Sequence, residues 1–332
     1  MKWLREIPAQ LQRGPCVLIT VAGVRGSAPR EAGASMLVSA DALIDTLGGG
    51  HLEWEAIAEA RARLLTGQTA PALRRYALAA SLGQCCGGVV WLCYETLTPE
   101  RHADWLAVQQ RLAQGTGSLR VLRGDALGST WTDARQAGNL QLPSQPDGQD
   151  WCLTQPVLPP DFCLTIHGAG HVGQALVSVL APLALRLHWH DMREDLLAGA
   201  PAGVITLACD TAEEAVARSP SGSHHLVLTH DHALDLALVE ALLRRKDIGE
   251  IGLIGSASKW TRFRQRLAAR GFAEHQIARI TCPIGVSGSS DKSPQAIAIM
   301  VAAQVLHWRE HVRTPHQALP EKPPPACLRS QD

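Results

Sequence analysis

The chain has 332 residues, 46% of them hydrophobic, and its 31 basic and 31 acidic residues balance to a net charge of zero. This length exceeds that of a typical single core and indicates two domains. Without a basic surplus, neither nucleic acid nor an anionic membrane is expected as the main partner. The first residues lack the apolar core of a signal peptide, and no apolar run approaches the roughly 20 residues that cross a bilayer. A cytoplasmic location is therefore expected.

Residues 1–114 predict a smaller α+β domain in which short strands alternate with glycine-rich turns. The strand-like segments are apolar and rich in β-branched residues: 17–21, 36–39, 43–47 and 89–94. The second and third of these flank a short turn, which predicts a hairpin. An amphipathic helix is predicted after Gly48-Gly49-Gly50, with an apolar face made of Trp54, Ile57, Ala58, Leu64 and Leu65.

The second half of the chain predicts a different class of domain. The proline-bearing stretch 115–160 predicts an irregular insert or linker. Residues 161–312 then alternate strands with helices, as in a Rossmann-like doubly wound parallel sheet, so the fold class is α/β. The predicted strands are 162–166, 185–190, 204–208, 226–229 and 251–254. A final helix from Ser293-Pro294 is apolar on nearly every face and is expected to be buried, and the tail 313–332 is expected to be disordered.

Residues 168–173 form a GxGxxG fingerprint between a predicted strand and a predicted helix, the context that dinucleotide binding requires. Gly168 permits the tight turn, Gly170 lets a pyrophosphate approach the backbone, and Gly173 lets the helix pack on the strand. The helix that begins at His171 offers free N–H groups to the phosphates. The alternative is that the glycines serve only a tight junction and that the nucleotide site is empty.

Asp191 closes the next strand, about where an acid bonds the ribose 2′-hydroxyl, which favours NAD(H) over NADP(H). Arg193 stands close enough to weaken that preference. At the end of the fourth strand, His230 and His232 are candidates for proton transfer, or for an incomplete metal site with Asp231. The alternative is a polar loop that caps the next helix.

Ser256 follows the fifth strand together with Lys259 and is expected to line the same edge of the sheet with a hydroxyl and a cation.

Three glycine-bearing segments stand out before residue 90, each at the end of a strand. They contribute bare backbone N–H groups, hydroxyls, arginines and two thiols: Ser27 and Arg30 from the first, Gly49, Gly50 and Glu53 from the second, Cys85 and Cys86 from the third. Such groups suit an anionic ligand with a phosphate and a soft metal centre, because N–H nests and arginine hold phosphates and thiolates bind soft metals. The alternative is three ordinary glycine turns and a buried thiol pair.

The remaining cysteines carry less information. Nine cysteines are an odd number, and four stand singly in apolar segments where reduced, buried thiols are expected: Cys16, Cys93, Cys163 and Cys209. Cys85 and Cys86 are adjacent and poorly placed to bond to each other, so one of them is expected to face a site.

Seven segments, in this order, make the chain resemble the xanthine dehydrogenase accessory proteins, the XdhC/CoxI family of molybdenum-cofactor insertion chaperones: 26–30, 48–53, 84–88, 168–173, 229–232, 251–256 and 282–285. The resemblance implies that the chain binds molybdenum cofactor, a molybdopterin, through Cys85 or Cys86. It further implies protection of the cofactor during sulfuration by a cysteine desulfurase, and delivery to the apo xanthine dehydrogenase molybdenum subunit. Cofactor biosynthesis enzymes are the remaining partners, and no turnover of purines is implied.

The final helix departs from the broader family pattern, since Ala296 and Gln304 stand where other branches often carry acids. Two alternatives to the chaperone stay open. One is an NAD-dependent oxidoreductase acting on the cofactor or a related pterin or purine, and the other is a scaffold that senses a nucleotide. The sequence does not determine the oligomeric state, although an isologous homodimer is the commonest soluble assembly.

Overall fold

The computed structural model describes residues 1–78, 87–134 and 151–313. The chain divides into two compact units, Met1–Pro159 and Pro160–Asp332. The expectations for Cys85, Cys86 and the tail beyond residue 313 lie outside the described residues. Among the residues described, no helix is both long enough and apolar enough to cross a membrane.

The N-terminal unit is built on a five-stranded antiparallel sheet with the strand order β3-β2-β1-β5-β4. Its strands are β1 (Cys16–Arg25), β2 (Ser35–Val38), β3 (Leu43–Ile44), β4 (Ala72–Ala77) and β5 (Val89–Leu97), and its helices are α1 (Lys2–Leu11), α2 (Gly50–Thr66) and α3 (His102–Ala113). The predicted hairpin is present, because Val38 pairs with Leu43 across the turn from β2 to β3. The smaller α+β domain that the sequence predicts is therefore confirmed.

The buried face of helix α2 coincides with the predicted one only in part: Ile57 and Leu64 are half-buried and pack against the core, as predicted. Its buried side chains are Leu52, Ala56, Ala60 and Arg63. Trp54 and Leu65, which the prediction placed on the apolar face, are 65% and 88% exposed. The prediction is wrong for these two residues because it ranked residues by hydrophobicity, whereas the small alanines are what allow the helix to lie close to the sheet.

The stretch predicted as an irregular linker contains a three-stranded antiparallel sheet with the order β7-β6-β8. Its strands are β6 (Ser118–Arg123), β7 (Thr130–Asp133) and β8 (Cys152–Val157). Buried and half-buried residues alternate along β6 and β8. Pro156, which suggested irregular structure, lies in β8 at the edge of this sheet, where a residue without an N–H is tolerated. The linker prediction is therefore wrong for these residues.

A buried polar network connects the two sheets of the N-terminal unit. The guanidinium of Arg120 on β6 is fully buried and forms an ion pair with Glu95 on β5, with Nη2 and Oε2 2.5 Å apart. Its Nε donates to Ser129 Oγ at 2.8 Å, and Nη1 donates to Gln155 Oε1 at 2.8 Å and to Thr20 Oγ1 at 3.1 Å. Because the partners lie on strands of both sheets, the arginine fixes one sheet against the other.

The C-terminal unit confirms the predicted α/β fold. Six parallel strands follow the order β11-β10-β9-β12-β13-β14: β9 (Cys163–His167), β10 (Arg186–Asp191), β11 (Ile205–Ala208), β12 (His224–Val227), β13 (Ile251–Leu253) and β14 (Ile280–Thr281). The helices are α4 (His171–Leu180), α5 (Ala212–Ala217), α6 (His232–Arg244), α7 (Ala257–Ala269), α8 (Glu274–Ile277) and α9 (Pro294–Arg313). Neighbouring residues Leu226 and Val227 belong to different apolar clusters, so both faces of the sheet are covered.

Two details of this unit differ from the sequence prediction. Strand β12 begins at His224, two residues early, because it includes two buried histidines. The final helix α9 is not buried on all sides: it packs one face, made of Ala298, Val301, Ala302 and Val305, into the core that contains α4, while Ile299 is 61% exposed. Ser293 caps the helix by accepting from Ala296 N at 3.3 Å, as predicted.

Candidate functional site

The glycine loop between β9 and α4 is held in place by hydrogen bonds with residues of β10. Gly168 N donates to His190 O at 2.8 Å, and the indole Nε1 of buried Trp189 donates to Gly168 O at 3.1 Å. A Cβ on Gly168 would lie 2.5 Å from Leu228 O, and one on Gly173 would collide with Gly168 O. These two glycines are therefore required by the close packing of the loop itself.

Gly170 has no such packing reason. Its backbone is extended, with φ −72°, and no described atom lies within 4 Å of the position a Cβ would take. It is the N-cap of α4, and within the described structure no side chain caps this helix end. The N–H groups of a helix start thus face open space, which is the environment a pyrophosphate needs. The residues present fit the phosphates of a dinucleotide, and His171 is the first, exposed residue of the helix.

Asp191 lies beside this loop, but its carboxylate is engaged within the protein. Oδ1 accepts from Arg193 N and Nε, both at 2.9 Å, and Oδ2 accepts from Ala169 N at 2.5 Å and Arg193 Nη2 at 3.0 Å. These four bonds use the four acceptor positions of a carboxylate. The carboxylate predicted to bond the ribose 2′-hydroxyl is thus engaged by Arg193 and Ala169 in this structure, and its role toward a ribose stays a prediction.

The pKa of Asp191 reflects the same contacts. Burial alone would raise the pKa, but the Arg193 guanidinium and the backbone N–H groups of Ala169 and Arg193 outweigh burial and lower it. An ionised Asp191 therefore anchors the glycine loop through Ala169.

A buried ion pair joins the segment that follows β12 to the segment that follows β13, at the carboxyl edge of the sheet. Asp235 on α6 is fully buried and accepts from Lys259 Nζ at 2.6 Å. Its Oδ1 accepts from Thr229 N at 3.0 Å and from Thr229 Oγ1 at 2.7 Å. Lys259 Nζ also donates to Ile254 O at 2.9 Å. The predicted proximity of the segments after β12 and β13 is present, but the cation faces a carboxylate.

The two predicted histidines after β12 are exposed. His232 is the first residue of α6, and Asp231 caps that helix by accepting from Ala233 N at 2.7 Å. Ser256 likewise caps α7, with its Oγ accepting from Lys259 N at 3.2 Å. No group of three or more histidine, cysteine, aspartate or glutamate side chains in the described ranges could hold a metal ion. Asp231 and Ser256 are therefore helix caps, and for the loop that contains Asp231 this is the alternative that the sequence left open.

A pocket penetrates between the sheet and helices α5 and α6. It is lined by His167 of β9 and His190 of β10, together with Gly168 and Asp191. Both histidines are 2% exposed. Burial, followed by the neighbouring imidazoles of His225 and His190, lowers the pKa of His167 well below its usual range. Burial and then His188 lower the pKa of His190 to about 4, so both rings are neutral at physiological pH.

In the N-terminal unit, the structure brings parts of the three glycine segments together. A Cβ on Gly48 would collide with the side chain of Pro29, and one on Gly88 would collide with Ser27 O. A Cβ on Gly26 would lie 3.2 Å from Gly88 Cα. The segments 26–30, 48–50 and 87–88 therefore form one cluster, called here the glycine cluster, in which backbone packs directly on backbone.

Glu53 organises the second segment of the glycine cluster. Its Oε2 accepts from Thr46 Oγ1 at 2.5 Å, from Leu47 N at 2.7 Å and from Gly49 N at 3.1 Å. Burial would raise the pKa of Glu53, but these three hydrogen bonds outweigh it and lower the pKa. Glu53 thus shapes the loop that leads into α2, and the N-terminus of α2 at Gly50 is left for other contacts.

The other predicted groups of the cluster lie near its surface. Arg30 Nη1 donates to Thr46 O at 3.2 Å, and its guanidinium forms an ion pair of 3.4 Å with Glu31. Ser27 is exposed. The structure therefore places the cation of Arg30 and the hydroxyl of Ser27 in the same cluster as the start of α2, and groups of these kinds hold anions.

Two family models match this chain. The XdhC and CoxI family model matches residues 9–77, and the XdhC Rossmann domain model matches residues 164–305. The chain belongs to the XdhC and CoxI family. Each match lies within one of the two compact units described above.

Individual relatives agree with this family. A Bacillus subtilis protein described as a probable subunit of xanthine dehydrogenase is 24% identical over 329 residues, covering 89% of this chain and 94% of its own length. The uncharacterised protein YqeB of Escherichia coli is 28% identical over 150 residues, which is 45% of this chain and 27% of YqeB. A crystal structure described as a xanthine dehydrogenase from Bacillus halodurans superposes with a TM-score of 0.72 at 21% identity, covering 97% of this chain and 98% of the other, which shows a shared fold.

Sequence patterns in this XdhC-family chain do not single out three residues that the structure places at the carboxyl edge of the sheet. Asp235 and Glu240 are the two acids within the otherwise apolar stretch 233–243, and an acid in such a stretch is a signal that could have identified Asp235. His190 ends a predicted strand and His167 directly follows one, but a lone histidine in or next to an apolar strand is usually a core residue. Their proximity depends on strand order, which the sequence pattern does not give.

Proposed function

We propose that this chain is a cytoplasmic accessory protein of a xanthine dehydrogenase, and that it binds molybdenum cofactor as its cargo. In this proposal it shields the cofactor while a cysteine desulfurase sulfurates the metal, and then transfers it to the apo enzyme. The observation that carries the proposal is the glycine cluster, which assembles backbone N–H groups, Arg30 and the start of α2 in one place. Family membership supports it, as does the Bacillus subtilis relative described as a probable subunit of xanthine dehydrogenase.

The chemistry of the cargo matches the groups in the cluster. A phosphate monoester would be held by the N–H of Gly50 at the start of α2 and by the guanidinium of Arg30, through charge-assisted hydrogen bonds. A soft metal and its sulfur ligands would be met by the thiolate of Cys85 or Cys86. The two cysteines immediately precede Gly87 and Gly88 in the sequence, and Gly88 is part of the cluster.

Cofactor retention tests this proposal. The protein is purified from cells with an intact cofactor pathway, and bound molybdenum and pterin are measured by mass spectrometry and by fluorescence of the oxidised pterin. We expect Arg30→Ala, and Cys85→Ala or Cys86→Ala, to lower retention about tenfold, since each change removes one charge-assisted or metal contact. Cys152→Ala, which alters a half-buried thiol on β8, is the matched control and should retain the cofactor.

Retention that is unchanged in both cysteine variants would remove the thiols from the site. Retention unchanged in Arg30→Ala as well would contradict binding by the glycine cluster.

A second candidate function is an NAD-dependent oxidoreductase acting on the cofactor or on a related pterin or purine. The observation that favours a dinucleotide is Gly170, a glycine without a conformational or packing requirement at an uncapped helix start. If a dinucleotide binds, its nicotinamide supplies hydride transfer, and Gly170 and His171 at the start of α4 would hold the pyrophosphate. The Asp191–Arg193 pair would have to open for the carboxylate to accept from a ribose hydroxyl.

The two functions give different results when the protein is mixed with apo xanthine dehydrogenase. Activation of the enzyme without consumption of NAD supports the accessory protein. Formation of NADH from a purine or pterin by the isolated chain, and its loss in Gly170→Ala, supports the oxidoreductase.

A further inference from the structure

Helix α2 presents large apolar side chains to solvent on the side opposite its buried face. Trp54 and Leu65 are 65% and 88% exposed, and Ala58 between them is exposed as well. These three positions lie within about 40° of one another around the helix axis, whereas buried Ala56 and Ala60 lie on the far side. Exposed apolar side chains that share one face and form a patch mark a surface used for interaction.

Arg61 lies on the same side of α2, and a second arginine, Arg13, follows α1. Both are exposed, and neither guanidinium forms a hydrogen bond or an ion pair with any residue that the structure describes. Arg63, on the buried face of α2, differs in this respect, because its Nη1 lies 3.6 Å from Oε1 of Glu59. Trp54, Ala58, Arg61 and Leu65 are called here the α2 stripe.

Both unpaired arginines line one cavity of about 370 Å³ at the C-terminal end of the α2 stripe. Leu64, Leu65 and Pro15 provide its apolar walls. Asp41, in the turn between β2 and β3, is the one carboxylate among the described lining residues, and it already accepts from Ser39 Oγ at 2.9 Å. The cavity therefore combines apolar surface with two cations that lack an acidic partner.

These features favour an acidic, amphipathic helix of another protein as the occupant. Trp54 and Leu65 lie about 16 Å apart along the axis of α2, the length of three helical turns. Apolar side chains of a docked helix would cover both, while its carboxylates would meet Arg13 and Arg61 in charge-assisted hydrogen bonds. A small anion would engage the arginines but leave Trp54 exposed, since Trp54 lies outside the cavity. A second copy of this chain would bring two arginine-bearing surfaces together.

We propose that the α2 stripe, with Arg13 beside it, is the surface on which the apo xanthine dehydrogenase docks, through an acidic amphipathic helix of that enzyme. Gly50, the first residue of α2, belongs to the glycine cluster. An enzyme bound along the stripe is therefore held next to the end of the helix where the cargo phosphate would bind. This inference rests on the proposed function, and it adds the docking surface and the chemistry of the partner.

Biolayer interferometry of the full chain against the immobilised apo molybdenum subunit of xanthine dehydrogenase tests the inference. We expect Trp54→Ala and Arg61→Glu each to weaken binding at least about tenfold, because the first removes a large apolar contact and the second reverses a charge. Leu65→Ser should weaken it by about threefold or more. Leu127→Ser is the matched control, since Leu127 is 87% exposed in the same unit outside the stripe, and it should bind like the wild type.

Salt dependence supplies a second measurement. Rising sodium chloride should weaken the wild type more than the double variant Arg13→Gln with Arg61→Gln, because that variant has lost the charges that salt screens. All the changed side chains are exposed, so thermal unfolding should match the wild type. An equal salt dependence of the wild type and the double variant would contradict recognition of an acidic partner.

Cofactor retention separates this inference from the function on which it rests. The docking variants should retain the cofactor as the wild type does and fail to activate the apo enzyme. Wild-type affinity in both Arg61→Glu and Leu65→Ser would overturn the docking surface and leave cofactor binding intact. The same holds if these variants lose only self-association, measured by sedimentation, because the stripe would then contact a second copy. A wild type that retains no cofactor would overturn the proposed function itself.

Discussion

At the scale of single residues, the N-terminal unit depends on one buried ion pair. Arg120 and Glu95 are 0% and 2% exposed, and every nitrogen of the guanidinium has a hydrogen-bond partner in the protein. Glu95 in turn accepts from Ser129 N at 2.5 Å and Ser129 Oγ at 2.7 Å. Removing one member of such a pair leaves a buried charge without compensation, which costs more than the pair itself contributes.

Single substitutions at this ion pair should therefore cost more stability than replacement of both residues together. Glu95→Gln should lower the free energy of unfolding by about 3–5 kcal/mol, because it leaves the Arg120 guanidinium charged and unpaired. The double variant Glu95→Gln with Arg120→Met should lose less than the sum of the two single variants. Urea denaturation followed by tryptophan fluorescence measures all three. Additive losses would show that the two side chains are not energetically coupled.

At the scale of elements, the two glycines of the turn from β9 into α4 differ in what surrounds them. Gly173 is in contact with the carbonyl of Gly168, whereas Gly170 faces open space with an ordinary φ. A side chain added at Gly173 would thus disturb the packing of the protein. A side chain added at Gly170 would disturb only a phosphate, if one binds there. Sequence spacing treats the two glycines alike, and the backbone geometry distinguishes them.

Alanine substitutions at these two positions should give opposite results. Gly173→Ala should lower the unfolding free energy by about 1–3 kcal/mol, because a fixed backbone carbonyl has to move. Gly170→Ala should change it by less than about 1 kcal/mol and weaken NAD⁺ binding at least about tenfold, since the methyl group occupies the approach of the pyrophosphate. Thermal unfolding and calorimetry measure the two effects. Unchanged NAD⁺ affinity in Gly170→Ala would mean that the open space is not a phosphate site.

At the start of α2 in the N-terminal unit, the sequence pattern likewise does not distinguish two roles for one residue. The sequence pattern marks Glu53 as a group that binds cofactor, and the structure shows its carboxylate accepting from the loop at 46–49. A first-turn acid next to a glycine turn is compatible with both roles, because each needs a carboxylate near free N–H groups. Only the positions of the donors show that this acid builds the loop.

At the scale of the whole molecule, buried histidines make stability depend on pH. Burial lowers the pKa of His190 and of His224 to about 4 and that of His225 to about 3, and it lowers the pKa of His167 in the same direction. In the unfolded chain these groups titrate near 6.5. Below that pH the unfolded state binds more protons than the folded state, so stability falls on acidification and is fully present above pH 6.5.

We expect the unfolding free energy to fall between pH 6.5 and 4.5, with up to about 1.4 kcal/mol per pH unit for each such histidine. This window lies above the unfolded pKa of carboxyl groups, so the histidines dominate the slope. His224→Phe, in a position already stacked between Phe162 and Trp308, should make the slope shallower by about one proton, and the exposed control His307→Gln should not. Urea titrations at four pH values measure the slope, and a flat profile would contradict the burial of neutral histidines.

The local features of this protein follow from its amino-acid sequence alone. Strand and helix alternation over 161–290, the hairpin after residue 35, the cap at Ser293 and the GxGxxG turn arise from hydrophobic period and from the conformational freedom of glycine, which act over a few residues. The family, too, follows from motifs in chain order. The remaining features required the folded structure, because they depend on which distant segments become neighbours. The strands within 115–160, the face that α2 buries, the engagement of Asp191 by Arg193 and the meeting of His167 with His225 all depend on strand order and packing, and no local pattern contains that information.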